Sequence, residues 1–260
     1  MSDAPVLLSV FPPAGGAVNF ARDEALAQVA RNTGHAVMRL YAWDRPVVSL
    51  GRNERAVGRY DPDKLARAGL DVVRRPTGGR ALLHHHELTY AFAEQITDAD
   101  SLRASYERVS RLLLTALRTL GVAADVADSR AGRPIEGSPC FAIPSAGEIV
   151  VDGRKLVASA QWRDAQVYLQ HGSILIDDDQ PLLVRGLADG VVMPPLPAPA
   201  TLREILGRAP SLEELASGVA HSLAAGGHAP SRVAPETLIP VDAEREHRAR
   251  YDDPAWTWRR

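Results

Sequence analysis

A chain of 260 residues, 45% hydrophobic and 24% charged, has the composition of an ordinary globular protein long enough to bury a sizeable core. A formal charge of -2 gives no long-range pull on polyanions, which argues against nucleic acid as the principal partner. No apolar run is long enough to cross a bilayer, and Met1-Ser2-Asp3-Ala4-Pro5 lacks a basic stretch followed by an apolar one, so no membrane association and a cytoplasmic location are expected.

In chain order, Val6 to Phe11 predicts a strand and Asn19 to Val29 a helix, the latter from apolar residues at helical spacing. Val37 to Tyr41 and Val47 to Leu50 are β-rich runs around the turn-forming Asp44-Arg45-Pro46, which predicts a hairpin. Asp61 to Ala68 suits a short helix, with Asp61 as its cap, Pro62 in its first turn and Gly69 closing it before a strand from Leu70 to Arg74. The alternation from Glu87 to Ala93 predicts another strand, and the preceding Leu82 to His86 is expected to run straight into it.

Ser101 to Leu120 carries Val109, Leu113, Ala116 and Leu117 on one face and predicts a core helix. A loop rich in Gly and Pro, Ser129 to Pro144, contains the only cysteine, Cys140. Three strands are expected after it: Glu148 to Val151, Lys155 to Gln161 and Val167 to Ile176, with Asp152-Gly153 turning the first two into a hairpin. Beyond Asp177 the chain is expected to become helical, with a Pro-rich linker from Met193 to Ala200 and a helix near Leu212 to Ala225. Hairpins mixed with helices, rather than regular strand-helix-strand units, predict an α+β fold on a mixed, largely antiparallel sheet packed with helices. The glycine signatures of dinucleotide and P-loop sites are absent.

The densest chemistry lies in Arg74-Arg75-Pro76-Thr77-Gly78-Gly79-Arg80-Ala81. Paired glycines let backbone amides approach a ligand, and three arginines concentrate positive charge there, a combination suited to an anion or a carrier arm or, more plainly, to a turn with solvated arginines. His84-His85-His86 follows. In a continuous strand His84 and His86 would face one way and His85 the other, so the triplet offers no three-ligand set and no metal site is expected. A lone cysteine is, on its own, more often an inert small hydrophobe than a nucleophile.

Several separate segments, in order, resemble the biotin/lipoate protein ligase superfamily: Arg74 to Ala81, Leu83-His84 with Glu87-Leu88-Thr89-Tyr90, Gly153-Arg154-Lys155-Leu156-Val157-Ala158-Ser159-Ala160-Gln161, and Gln170-His171-Gly172-Ser173. Gly51-Arg52-Asn53 is similar to the family's Gly-Arg-x-Gln segment, and Trp256 to its closing Trp motif. The resemblance implies a biotin/lipoate ligase-like catalytic unit over residues 1–190, with 191–260 as a helical extension packed on it. Gly78-Gly79 followed by Arg80, and Cys140 in Ser138-Pro139-Cys140-Phe141, are closest to the cysteine-lysine octanoyltransferase branch. Two departures stand out: His85 occupies a position usually held by Asp, and Asn53 one usually held by Gln.

That branch implies an octanoyl or lipoyl transferase for protein lipoylation, with Cys140 as nucleophile and Lys155 as its electrostatic partner. The group would come from acyl carrier protein and pass through a Cys140 thioester to a lysine of a lipoyl domain or the glycine-cleavage H protein. A thiolate attacks a thioester readily and leaves again readily, and a nearby cation raises its population above that of a free thiol. Arg74, Arg75, Thr77, Gly78, Gly79, Arg80, His84, Ser159, Ala160, His171 and Gly172 would line the substrate site of a monomer needing no cofactor. One alternative is an ATP- and Mg-dependent lipoate-protein ligase forming a lipoyl-AMP intermediate, in which Lys155 contacts the adenylate phosphate. Another is a non-catalytic protein that binds acyl groups or lipoyl domains.

Overall fold

The computed structural model describes residues 5–97, 99–127, 141, 144–194 and 197–260. The apolar β1 (Val6–Val10) leads through the Ala-rich α1 (Gly16–Thr33) to β2 (Val37–Tyr41), which pairs parallel with β1. Next come β3 (Val47–Leu50), α2 (Pro62–Arg67), β4 (Asp71–Arg74) and β5 (Leu82–His84). They are followed by β6 (Glu87–Gln95), α3 (Leu102–Thr119), β7 (Asp125–Val126), β8 (Ile149–Val151), β9 (Arg154–Arg163) and β10 (Val167–Leu175). A 3₁₀ helix (Gln180–Gly186) precedes α4 (Leu202–Leu206), α5 (Leu212–Ala225), β11 (Pro230–Arg232), α6 (Pro235–Leu238), α7 (Val241–Asp252) and α8 (Pro254–Thr257).

An eight-stranded sheet runs β11-β1-β2-β6-β10-β9-β8-β7 and a three-stranded one β4-β3-β5. In the large sheet only β11-β1 and β1-β2 are parallel, so the α+β expectation of a mixed, largely antiparallel sheet holds. Strand alternation decides what each face carries. Leu88, Tyr90 and Phe92 of β6 pack toward α3 and α5, joining Val109, Leu113, Leu215, Val219 and Leu223 in one core. Ala91 and Ala93 face α1 with Phe20, Ala25 and Leu26, and Tyr251 of α7 closes that second core. Each fully buried Leu or Val contributes roughly 1.5–3 kcal/mol, so residues 191–260 are integral to both cores, and they add a strand, β11, as well as helices.

Local chemistry explains most of the expected elements. Asp61 caps α2 by accepting from the Asp63 and Lys64 amides, with Pro62 in the first turn. Asp152 and Gly153 both adopt positive φ, 49° and 74°, the backbone a two-residue hairpin turn requires. The expected hairpin of Val37 to Leu50 does not form: β2 belongs to the large sheet, and β3 pairs with β4 and β5 in the small one. Every residue of both runs is buried. A two-stranded ribbon cannot cover both faces of its strands, whereas two stacked sheets can. Leu82 to Glu87 is likewise not one strand, because β5 ends at His84 and β6 begins at Glu87.

Arg74 ties the tail to the small sheet. Its Nε donates to the Thr257 carbonyl at 2.9 Å, and Nη1 donates to the carbonyls of Gly51 and Glu54 at 2.6 and 2.9 Å. In return the Trp256 indole donates to the Arg74 carbonyl at 2.8 Å, and the Ala56 and Val57 amides donate to the carbonyl of Arg260. Gly51 sits so close to the glycine loop that a Cβ there would lie 1.8 Å from the Gly79 carbonyl oxygen, which only glycine permits.

Candidate functional site

A narrow cavity opens where the large sheet faces the small one. Phe20, Tyr41, Thr89, Ala158 and Ala160 line it together with Arg75, Leu82, His84, Ser159, His171, Gly172 and Ser173, leaving about 20 Å³ of room for water. Period-two alternation sends Thr89 of β6 and His171 and Ser173 of β10 to the side where β5 lies above them. A larger open groove of about 950 Å³ abuts it, sharing Ser159 and Ala160 and bordered by Gly78, Gly79, Tyr106 and Glu148.

Two histidines organise the cavity through separate carboxylates. Nδ1 of His84 lies 2.8 Å from Glu87 Oε1 and Nε2 lies 2.7 Å from Ser49 Oγ, while the Trp43 indole stacks on the ring with centroids 4.1 Å apart. Oε1 of Glu87 also accepts from Trp43 Nε1 at 2.9 Å, Thr89 Oγ1 at 2.6 Å and Ser173 Oγ at 2.7 Å. With a carboxylate as its partner, His84 Nδ1 carries the proton and the ring is held in one orientation.

His171 forms the second unit, with Nδ1 2.7 Å from Asp23 Oδ2 and Nε2 2.6 Å from Thr77 Oγ1. Asp23 also accepts from the Tyr41 hydroxyl at 3.1 Å and faces the buried Arg39 at 3.5 Å. Burial holds the His171 imidazole below the ordinary histidine value of 6.5, with Asp23 opposing it and the nearby Arg75 guanidinium adding to it. As pH falls through about 6.5 the unfolded chain therefore takes up a proton that the folded chain resists, so stability is present above that range and erodes below it. Denaturant midpoints measured between about pH 5 and 7.5 are expected to rise with pH, and a His171→Gln protein to lose part of that slope.

Arg75 lines the cavity and uses its guanidinium largely on backbone carbonyls, with the Ser49 hydroxyl beside them. It donates to Ser49 O and Oγ, each at 3.0 Å, and to the carbonyls of Gly78 and Arg80, each at 2.8 Å. The arginine thus holds the glycine loop folded over the site. Gly172 keeps the floor low: a Cβ there would come within 2.7 Å of both the Ala158 oxygen and the Tyr90 ring.

The candidate residues are only partly assembled around the cavity. Arg75, His84, Ser159, Ala160, His171 and Gly172 line it, and Thr77 reaches it through His171. Gly78 and Gly79 border the groove instead, and Arg80 meets the site through its carbonyl. Arg74 turns its guanidinium to the tail, because Thr257, Gly51 and Glu54 offer it three carbonyls. Lys155 is buried on β9 with Nζ 2.6 Å from Glu148 Oε2, and that same carboxylate oxygen accepts from the Ser145 amide. Burial raises the Glu148 carboxyl above its usual range, with Lys155 opposing.

Cys140 lies outside the described residues. The next residue, Phe141, is buried against Leu82, Ala158 and Leu175, the first two of which line the cavity. His85 and His86 form the turn between β5 and β6, so the strand alternation used to argue against a metal site does not apply to them. Sequence reasoning missed Asp23, Ser49 and Tyr41 and gave Glu87 no role. Glu87 had a signal, three residues after His84 within the resemblance, whereas Asp23 sits in a helix with no motif to mark it.

This layered architecture matches that of lipoate-protein ligases. The structure of lipoate-protein ligase A bound with ATP superposes with a TM-score of 0.76 at 20% identity, covering 98% of this chain and 99% of that one. A bi-partite lipoate protein ligase from Thermoplasma acidophilum, studied with its E2 lipoyl domain, gives 0.73 at 18% identity, covering 98% and 96%. In sequence, the family model for the lipoyl protein ligase A/B catalytic domain matches residues 16–224, and the chain belongs to that family. It is 42% identical over 176 residues to the octanoyltransferase LipM of Carboxydothermus hydrogenoformans, spanning 66% of this chain and 65% of that one. Over 228 residues it is 40% identical to the octanoyltransferase LipM of Symbiobacterium thermophilum, spanning 80% and 82%.

Proposed function

We propose that this chain is an octanoyltransferase of protein lipoylation, taking the acyl group from acyl carrier protein and passing it to a lysine of a lipoyl domain or the glycine-cleavage H protein. Relatives named octanoyltransferases, at 40% identity or more, support the reaction class. The observation that carries the chemistry is Phe141, which packs on the cavity wall and is the immediate sequence neighbour of Cys140.

In the first step the Cys140 thiolate attacks the carbonyl carbon of the carrier-bound octanoyl thioester. The new carbon-sulfur bond forms as the old one breaks, and the pantetheine sulfur leaves as a thiolate that takes up a proton. In the second step the neutral amine of the acceptor lysine attacks the Cys140 thioester. An amide forms, Cys140 sulfur departs, and the amine proton restores the thiol. Lys155 supplies the positive charge that favours the thiolate and a donor for the carbonyl oxygen as charge gathers on it. The groove beside Gly78, Gly79 and Tyr106 offers space for the carrier arm, and the acyl chain would enter at the narrow cavity beside Ser159, whose apolar lining includes Phe20, Leu82 and Ala158.

The ligase reading rests on the fold it shares with lipoate-protein ligases. An assay comparing octanoyl-carrier protein with octanoate plus ATP, each with a lipoyl domain as acceptor, separates the two. Octanoylated acceptor is expected from the carrier substrate without nucleotide, and acceptor modification that requires ATP and free octanoate would replace the transferase with the ligase.

A further inference from the structure

Among the described residues, a set of ligand-type side chains outside the cavity gathers at the turn joining β5 to β6. We infer that His85, His86 and Asp179 form a binding site for a zinc-class divalent transition-metal ion, clipping that turn to the start of the 3₁₀ helix. Because neither histidine lies in a strand, their side chains are not sent to opposite faces, and the two rings sit with centroids 3.8 Å apart. Both turn an edge to one carboxylate oxygen, Asp179 Oδ2, with His85 Nδ1 at 3.6 Å and His86 Nδ1 at 2.9 Å. The three ligand atoms all lie within 4.8 Å of one another.

A tetrahedral ion with bonds of about 2.0–2.1 Å to nitrogen and oxygen sets neighbouring ligand atoms about 3.3 Å apart, a spacing these distances straddle. Two imidazoles with one carboxylate suit zinc and its first-row neighbours, whereas magnesium and calcium prefer all-oxygen sets. The His86 backbone N–H donates to Asp179 Oδ2 at 3.1 Å and so orients the carboxylate. His86 is half exposed, leaving the remaining coordination positions open to water.

The clip bears on the cavity through its neighbours. Gln180, next to Asp179, brackets the backbone of Leu83, accepting from its N–H at 3.1 Å and donating to its carbonyl at 2.7 Å. A metal held at Asp179 would therefore stiffen the strand that carries His84. The test is calorimetric titration of zinc chloride into the full chain, free of affinity tag and stripped of metal, with melting curves recorded with and without zinc. One equivalent of saturable binding is expected, with a zinc-dependent rise in melting temperature. His86→Gln and Asp179→Asn should each weaken binding by about 100-fold or more, while Cys140→Ser should retain it. His85→Gln, read the same way, serves if either variant melts abnormally without metal. Absence of saturable binding, binding untouched by the histidine and aspartate variants, or binding lost with Cys140→Ser would each overturn the site.

Discussion

Replacing Cys140 with alanine is expected to reduce octanoyl transfer by about 10³-fold or more, the scale on which enzymes lose a covalent nucleophile. The wild-type protein incubated with octanoyl-carrier protein alone should gain one octanoyl group on Cys140 by mass spectrometry, and hydroxylamine should remove it. Cys140→Ser should be nearly as poor as alanine, because an alkoxide is harder to generate at neutral pH and an oxygen ester is a weaker acyl donor to an amine than a thioester. Since the chain contains one cysteine, no second thiol can take over. Full transfer by the alanine protein would rule out the covalent route.

Lys155 tests the electrostatic half of the mechanism with an effect on stability as well. Its ammonium and the Glu148 carboxylate are both more than nine-tenths buried and 2.6 Å apart. Removing one member of such a pair leaves the other charge without compensation, at a cost on the order of 3–5 kcal/mol. Lys155→Met should therefore lower the denaturant midpoint and abolish transfer together. Burial already raises the Glu148 carboxyl, and without Lys155 the rise is larger, so the folded variant binds a proton more tightly than the unfolded one. Its stability should accordingly increase as the pH is lowered below neutrality, opposite in sign to the His171 contribution. Lys155→Met combined with Glu148→Leu removes both charges and should recover much of the stability. If that double variant also recovers transfer, the lysine serves the fold alone.

The parts of this protein legible in its sequence are those governed by local chemistry. The Asp61 cap with Pro62, the Asp152-Gly153 turn and the apolar face of α3 each state their structure within a few residues, and each is found as expected. The resemblance over Arg74 to Tyr90 and Gly153 to Ser173 likewise located the segments that meet at the cavity. What sequence could not give was partner choice between distant segments. Val37 to Leu50 has the turn and the propensity for a hairpin, yet burial on both faces sends its halves to different sheets. Arg74 and Arg75 are adjacent and chemically alike, but one secures the tail and the other the glycine loop. Asp23 became visible only when α1 was laid across β10 and its carboxylate met His171.

Arg74 binds Trp256 and Thr257 directly. The Trp256 indole holds the Arg74 backbone, the Thr257 carbonyl holds its guanidinium and the Arg260 carbonyl holds the loop that follows Gly51, and Gly51 in turn rests against Gly79 at the rim of the groove. Cutting the chain before Trp256 would therefore be felt at a distance, loosening the rim of the groove without touching a residue of the cavity itself.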